Sequence, residues 1–305
     1  MTVLVVGAVN TDLVIETARI AAPGETVIAT RSSTGHGGKG GNQATAVARL
    51  GGACTLAARV GPGFDPASLP GVDASALVRD TAPTGLAVVL VAADGENAIT
   101  VVPGANARLS PADVSLPPGP PGVVLASLEV PLATVTAAAR LARAAGWTVV
   151  LNPAPALPLP PDLLVAVDVL VPNEHELSLL GSPADLLAAG VGAVVVTLGA
   201  EGCRVHRTTG TVGVPAHPVH AVDTTGAGDA FCATLAWALD TGRPWTRRSG
   251  SPASRVPSPP APSAPAPPCR PPPTSRVPRR LTRPTAPPPP PMVFAALGDG
   301  RGGSG

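Results

Sequence analysis

Residues 33–44 read STGHGGKGGNQA, five glycines around Lys39, which is the only lysine in the 305-residue chain. GHGGKG fits the GxGxxG pattern of dinucleotide sites. That pattern needs a strand just before it and an acid about 20 residues on. Here an irregular TRSST precedes it and no such acid follows. A Walker loop fails as well, because Gly40 stands where Ser or Thr must follow the lysine. The stretch therefore reads as a flexible loop whose glycines let a ligand approach the backbone. The helix it opens favours a ligand rich in oxygens. A plain turn would not explain a lone lysine and Asn42 together. The helix is expected over 42–51, with Asn42 near its N-cap and Gly51 or Gly52 closing it.

Outward from this loop the chain alternates. TVLVVG, CTLAARVG, GVVLASLE, WTVVLNP, VDVLVPN and AVVVTLG are short apolar runs rich in β-branched residues, and read as buried strands. PLATVTAAARLARAAG, a helical piece at 174–190 and GAGDAFCATLAWALDTG read as helices between or after them. The pattern implies an α/β domain with a largely parallel sheet. Segments 12–31 and 85–103 instead look like hairpins without helices between them, a small sheet projecting from the body.

The formal net charge of +1 gives no reason to expect nucleic acid or a membrane surface as partner. Four cysteines form no CxxC pair, and no apolar run reaches the roughly 18 residues of a membrane span. Isolated cysteines in a sequence that shows no export signal are expected in a reducing cytoplasm. The average charge hides an asymmetry: residues 246–305 hold nine arginines, one acid and 18 of the 40 prolines. Proline at that density forbids helix interiors and central strands. The chain is thus expected to divide into a folded domain, 1–245, and a disordered Pro/Arg-rich tail, 246–305.

A second glycine motif, AVDTTGAGDAF at 221–231, delivers Asp223 and Thr225 before Gly226-Ala227-Gly228 opens a helix. Amides at such a helix start can bind an anion. Asp229, in the first turn, could take a proton from a hydroxyl attacking a group held there. It could equally be an acid that complements the helix dipole, and the motif alone does not separate the two.

Seven stretches in order, VVGAVNTDLVI, PGETVIATRSSTGHGGKGGNQATAVARLG, ENAITVVPGANARLSP, LNPAPALPLP, VPNEHE, VVVTLGAEG and VDTTGAGDAF, resemble the ribokinase group of the PfkB carbohydrate kinase family. The resemblance spans residues 2–245. It implies a Rossmann-like three-layer αβα ribokinase-like fold with a small β-sheet lid, which would also form a homodimer contact. It implies ATP-dependent phosphorylation of D-ribose at the 5-hydroxyl, with Mg2+ required and K+ as activator. Deoxyribose or fructose stays open as the sugar. The family pattern puts Asn10, Asp12, Gly38, Lys39, Asn42, Glu129 and Asp229 on the sugar. It puts Asn173, Thr197, Gly199, Gly202 and Gly228 on the nucleotide. Gly226, Ala227 and Gly228 would form the anion hole and Asp229 the catalytic base. Glu176 would hold Mg2+ through water, and Asp223 and Thr225 would serve K+. After Trp245 the family's last helix and adenine contacts are not recognisable, so a weakly active or non-catalytic sugar-binding remnant is the alternative.

Overall fold

The short β-branched runs do form the centre of the molecule. The computed structural model describes residues 2–218 and 224–242. The expected tail and Asp223 lie outside the described residues. β1 (Val3–Val6) opens the chain, and β2 (Asn10–Thr17) and β3 (Arg31–Gly37) lead into α1 (Lys39–Arg49) and β4 (Cys54–Val60). β5 (Leu77–Arg79), β6 (Gly85–Ala92) and β7 (Asn97–Val102) follow, then two 3-10 turns, Gly104–Arg108 and Pro111–Asp113. β8 (Val123–Ser127), α2 (Leu132–Ala144), β9 (Thr148–Asn152), α3 (Pro161–Leu164) and β10 (Val169–Leu170) alternate. α4 (Glu174–Leu180), α5 (Pro183–Ala188), β11 (Ala193–Thr197), β12 (Cys203–Arg207), β13 (Gly210–Val214) and α6 (Ala227–Asp240) complete the described chain.

The main sheet runs β13-β12-β11-β10-β9-β8-β1-β4-β5, parallel from β11 to β5, with β12 and β13 antiparallel at one edge. Val3, Val5, Leu56 and Leu125 face α1 and α6, while Leu4, Val6, Val124 and Leu151 face α2 and its neighbours. Both faces are covered, so the strands read as continuous apolar runs rather than alternating ones. This is the expected three-layer α/β fold.

β3-β2-β6-β7 form the separate small sheet. The second half of the expected 12–31 hairpin moves, however. β2 pairs not with residues before 31 but with Arg31–Gly37, register Asn10 to Gly37 and Glu16 to Arg31. The stretch read as an irregular, flexible loop is thus a strand as far as Gly37. α1 likewise begins at Lys39, three residues before the expected start, with Gly38 as N-cap at φ 80. Glycines 40 and 41 carry a helix-propensity cost of about 1 kcal/mol each relative to alanine. Tertiary contact overrides it, because a Cβ on Gly40 would stand 2.6 Å from the carbonyl carbon of Gly7. Only glycine lets the first turn of α1 lie flush on the end of β1. The helical piece at 174–190 breaks at Gly181, φ 114, into α4 and α5. β5 and α3, three and four residues long, are too short for periodicity to reveal.

Candidate active site

Parallel topology brings the carboxyl ends of β1, β8, β9, β10 and β11 to one edge of the sheet, where α/β proteins place their ligands. Asn10, Glu129, Asn152, Asn173 and Thr197 all follow or end these strands. α1 and α6 pack side by side, their glycine-opened N-termini facing that edge. A cavity of about 220 Å3 lies there, lined by Lys39, Asn173, Glu176, Thr197, Gly226–Asp229 and Cys232 among others. A larger groove of about 640 Å3 runs between α2 and α3, but it is open and lined mainly by alanine, threonine and proline with one Arg140–Asp162 pair. It lacks converging polar groups.

Asp229 is the best-held acid of the edge, only 6% exposed. Asn42 Nδ2 donates to its Oδ2 at 2.9 Å and Gln43 Nε2 to its Oδ1 at 3.3 Å. Asn42 therefore does not cap α1; it reaches across to α6. Burial pushes the Asp229 carboxyl up, against the Lys39 charge and the two amide donors, which pull it down. Beside it, Gly226 at φ 71 turns the chain into α6, and Ala227 N bonds Thr224 O at 3.1 Å. A Cβ at Gly228 would meet none of the described residues within 4 Å, so on their side this flank is open. Thr225 lies in the same turn.

The expected sugar-side residues also converge. Lys39 N donates to Glu129 Oε2 at 2.7 Å, and burial raises the Glu129 carboxyl, as it does that of Asp12. Among the described residues Asp12 Oδ1 is buried without a hydrogen-bond partner, and a Cβ on Gly37 would clash with the Asp12 carboxylate, which would have to move. Gly38 could hold no other residue: besides its positive φ, a Cβ there would be 2.6 Å from Ala8 O. Asn10 is 3% exposed, and its Oδ1 accepts from Asn106 Nδ2 at 2.8 Å.

The remaining expected residues divide. Asn173 and Glu176 form a capping box on α4: Asn173 Oδ1 accepts from Glu176 N at 2.7 Å, and Glu176 Oε2 from Asn173 N at 2.9 Å. Both still line the cavity. Thr197 lines it too, but Gly199 and Gly202 do not; they shape the turn after β11, with φ of 55 and 98. Among the described residues no cluster of three metal-ligating side chains occurs, and no helix is long and apolar enough to cross a membrane. Cys54, Cys203 and Cys232 are buried free thiols, whereas Cys269 lies outside the described residues.

Three residues bonded to or lining the candidate site carried no signal strong enough to single out: Gln43, Asn106 and Asn152. Asn106 is 1% exposed and its amide fixes Val9 N, Val9 O and Asn10 at once. Its 3-10 turn is tied down by ion pairs. Arg108 bonds Asp80, Arg59 bonds Asp80 at 2.8 Å, and Arg59 grips Asp113 through Nε and Nη2 at 2.8 and 2.9 Å. The guanidinium holds the Asp113 carboxyl down at about 2, below its usual 3.8. A depressed carboxyl stabilises the fold above its unfolded value and loses that contribution as pH falls toward the folded one. Asp113→Asn should therefore lower the melting temperature at pH 7 and flatten the acid side of the stability profile between about 4 and 2. Thermal melts across that window check it; an unchanged slope would show the pair to be inert.

The comparisons with known proteins bear on the same stretch of chain. The model of the pfkB family carbohydrate kinases matches residues 2–248. A ribokinase of Staphylococcus aureus is 35% identical over 252 residues, 75% of this chain and 83% of that protein. A deoxyribokinase of Salmonella typhi is 34% identical over 259 residues, 77% and 85% of the two chains. The structure of Arabidopsis thaliana ribokinase complexed with ribose and ATP superimposes with a TM-score of 0.69 at 30% identity, covering 79% of this chain and 86% of that one. With a family match across the whole described body and relatives aligned over more than four-fifths of their length, the chain belongs to the pfkB family of carbohydrate kinases, phosphotransferases that act on a sugar hydroxyl.

Proposed function

We propose that the chain is an ATP-dependent ribokinase that transfers the γ-phosphoryl group to the 5-hydroxyl of D-ribose. The observation that carries the reading is the clamp on Asp229: a buried carboxylate held by two amides beside the open N-terminus of α6 and within the field of Lys39. The sugar would lie among Asn10, Asp12, Gly38, Asn42 and Glu129, with its hydroxyl toward Asp229. Asp229 takes the hydroxyl proton as the oxygen attacks phosphorus. The Gly226–Gly228 amides and Lys39 meet the charge that develops on the phosphoryl oxygens. Asn173 and Thr197 would border the nucleotide, with Gly199 and Gly202 shaping its strand end.

Mg2+, when bound, neutralises and orients the phosphates. Glu176 fits a role through water: its Oε2 is engaged by Asn173 N, while Oε1 takes no hydrogen bond among the described residues. A cation held mainly by phosphates and water needs no protein cage. Thr225, with Asp223, would serve the K+ site. For the lid we infer a homodimer contact. Ile99 and Val101 stand 60% and 46% exposed on the face of the small sheet that carries Asn10 and Asp12. A monomer in sedimentation velocity would remove that contact. We infer a cytoplasmic location, which the free thiols of Cys54, Cys203 and Cys232 among the described residues support.

The sugar is tested by ADP release coupled to a panel of D-ribose, deoxyribose, fructose and adenosine. Ribose should give the highest kcat/KM. A preference for adenosine or for a phosphorylated sugar overturns the assignment. Calorimetric ribose binding with no turnover and no nucleotide binding would favour the sugar-binding remnant instead.

A further inference from the structure

Gln43 sits one turn into α1 and is fully buried. Its side-chain amide touches two groups. Nε2 donates to Asp229 Oδ1 at 3.3 Å and to Asn152 Oδ1 at 3.4 Å. The orientation of that amide is forced. A carboxylate can only accept. Asn152 also presents its oxygen, because its own Nδ2 is spent on Val171 O at 3.1 Å. Facing two acceptors, Gln43 must turn its NH2 toward both, and its Oε1 is left buried without a partner among the described residues.

An orphaned buried acceptor is a cost that a methionine or leucine of similar volume would not incur. Packing between α1 and the sheet therefore gives no reason for glutamine at this position. The two donations do. We propose that Gln43 is a positioning residue for Asp229: it pins one carboxylate oxygen while Asn42 pins the other, and it relays the rigidity of β9 and β10 through Asn152 to the base. The proposal rests on the assignment of Asp229 as the base that receives the sugar proton.

Two fixed donors, one on each oxygen, hold the plane of the carboxylate, so its free lone pairs point in one direction. They also favour the ionised form against burial. Among the described residues, the other ionisable groups facing this point are Lys39 from α1, Glu129 after β8 with Asp12 beyond it, Cys232 from α6 and Glu176 from α4. Apart from Lys39 these are acids or a thiol, so loss of a donor leaves the anion less supported.

Gln43→Met tests the idea. We expect kcat to fall by about 10–100-fold, the scale of a misplaced reacting group, with the KM for ribose nearly unchanged. The acid limb of kcat/KM should move to higher pH. Added to Asp229→Asn, Gln43→Met should cost nothing further, since the group it positions is gone. A merely structural role would instead lower the melting temperature, leave the limb in place and multiply the losses. In the parent, the Gln43 side-chain amide resonances should follow the ionisation of Asp229 when both are titrated by NMR. This measurement decides the matter even if the variant does not fold. Unchanged kcat and limb in a folded variant, or a silent Gln43 amide, overturns the proposal. If the parent phosphorylates no sugar while the amide still tracks Asp229, the kinase reading fails and the coupling of the two side chains stands.

Discussion

Asp229→Asn is expected to lower kcat by about 10²–10⁴-fold while leaving ribose affinity nearly unchanged. The carboxylate is the one buried acid at the start of α6, and asparagine keeps its size while removing its ability to accept a proton. The contrasting reading treats Asp229 as an acid that complements the helix dipole. That role is worth about 0.3–1 kcal/mol of stability and would leave turnover intact. The two outcomes differ by orders of magnitude in a steady-state assay. The parent's pH profile adds a second check. Only the ionised carboxylate can accept the proton, and burial raises its pKa. kcat/KM should therefore fall as pH drops through a value above 3.8, and this limb should vanish in Asp229→Asn. Equal rates in parent and variant would reduce Asp229 to a capping acid.

Lys39→Met is expected to cost about 10²–10³-fold in kcat, the range for losing one electrostatic stabiliser of a transition state. It should also move the acid limb upward, because the Lys39 charge pulls the Asp229 carboxyl down and nothing replaces it. Lys39→Arg separates charge from shape. The guanidinium keeps the positive field, so the limb should stay near its parental position. Its planar fork is larger than an ammonium and does not fit the same cavity of about 220 Å3 in the same way, so kcat should still fall. If Lys39→Met retains both rate and limb, the lysine is a solvated charge at the mouth of the site and the phosphate role assigned to it is lost.

Much of the sheet was legible because its strands are buried on both faces. VLVV, VVLAS, TVVLN and AVVVT are short β-branched runs whose few polar residues stand only at their ends. α2 and α6 were legible for the complementary reason, an apolar stripe long enough to show its period. The residues TRSST and GHG were misread because β3 has almost no apolar side chains; its strand character comes from pairing with β2, a partner about 20 residues away. The start of α1 was misread because glycine is a poor helix former and Asn42 a good cap. Both preferences lost to the close approach of Gly40 and Gly7.

The motifs themselves named most of the candidate residues that the fold brings to this edge of the sheet. Asn10, Asp12, Lys39, Asn42, Glu129 and Asp229 are distinctive because each sits in a short signature, and those signatures are local. What binds them into one site is not. Asn42 and Gln43 reach Asp229 over separations of 187 and 186 residues, and Asn106 reaches Asn10 over 96. Sequence by itself determined the buried central strands and the longer helices, which acids and glycines are unusual, and the family. Only tertiary structure decided that Asn173 and Glu176 cap a helix while lining the cavity. It alone turned Asn42 from a cap into a partner of Asp229, and set Gln43 against Asp229 and Asn106 against Asn10. The physical reason is that a buried polar group must find its partner wherever the fold places one, and glutamine or asparagine carries no mark in sequence of the partner it will need.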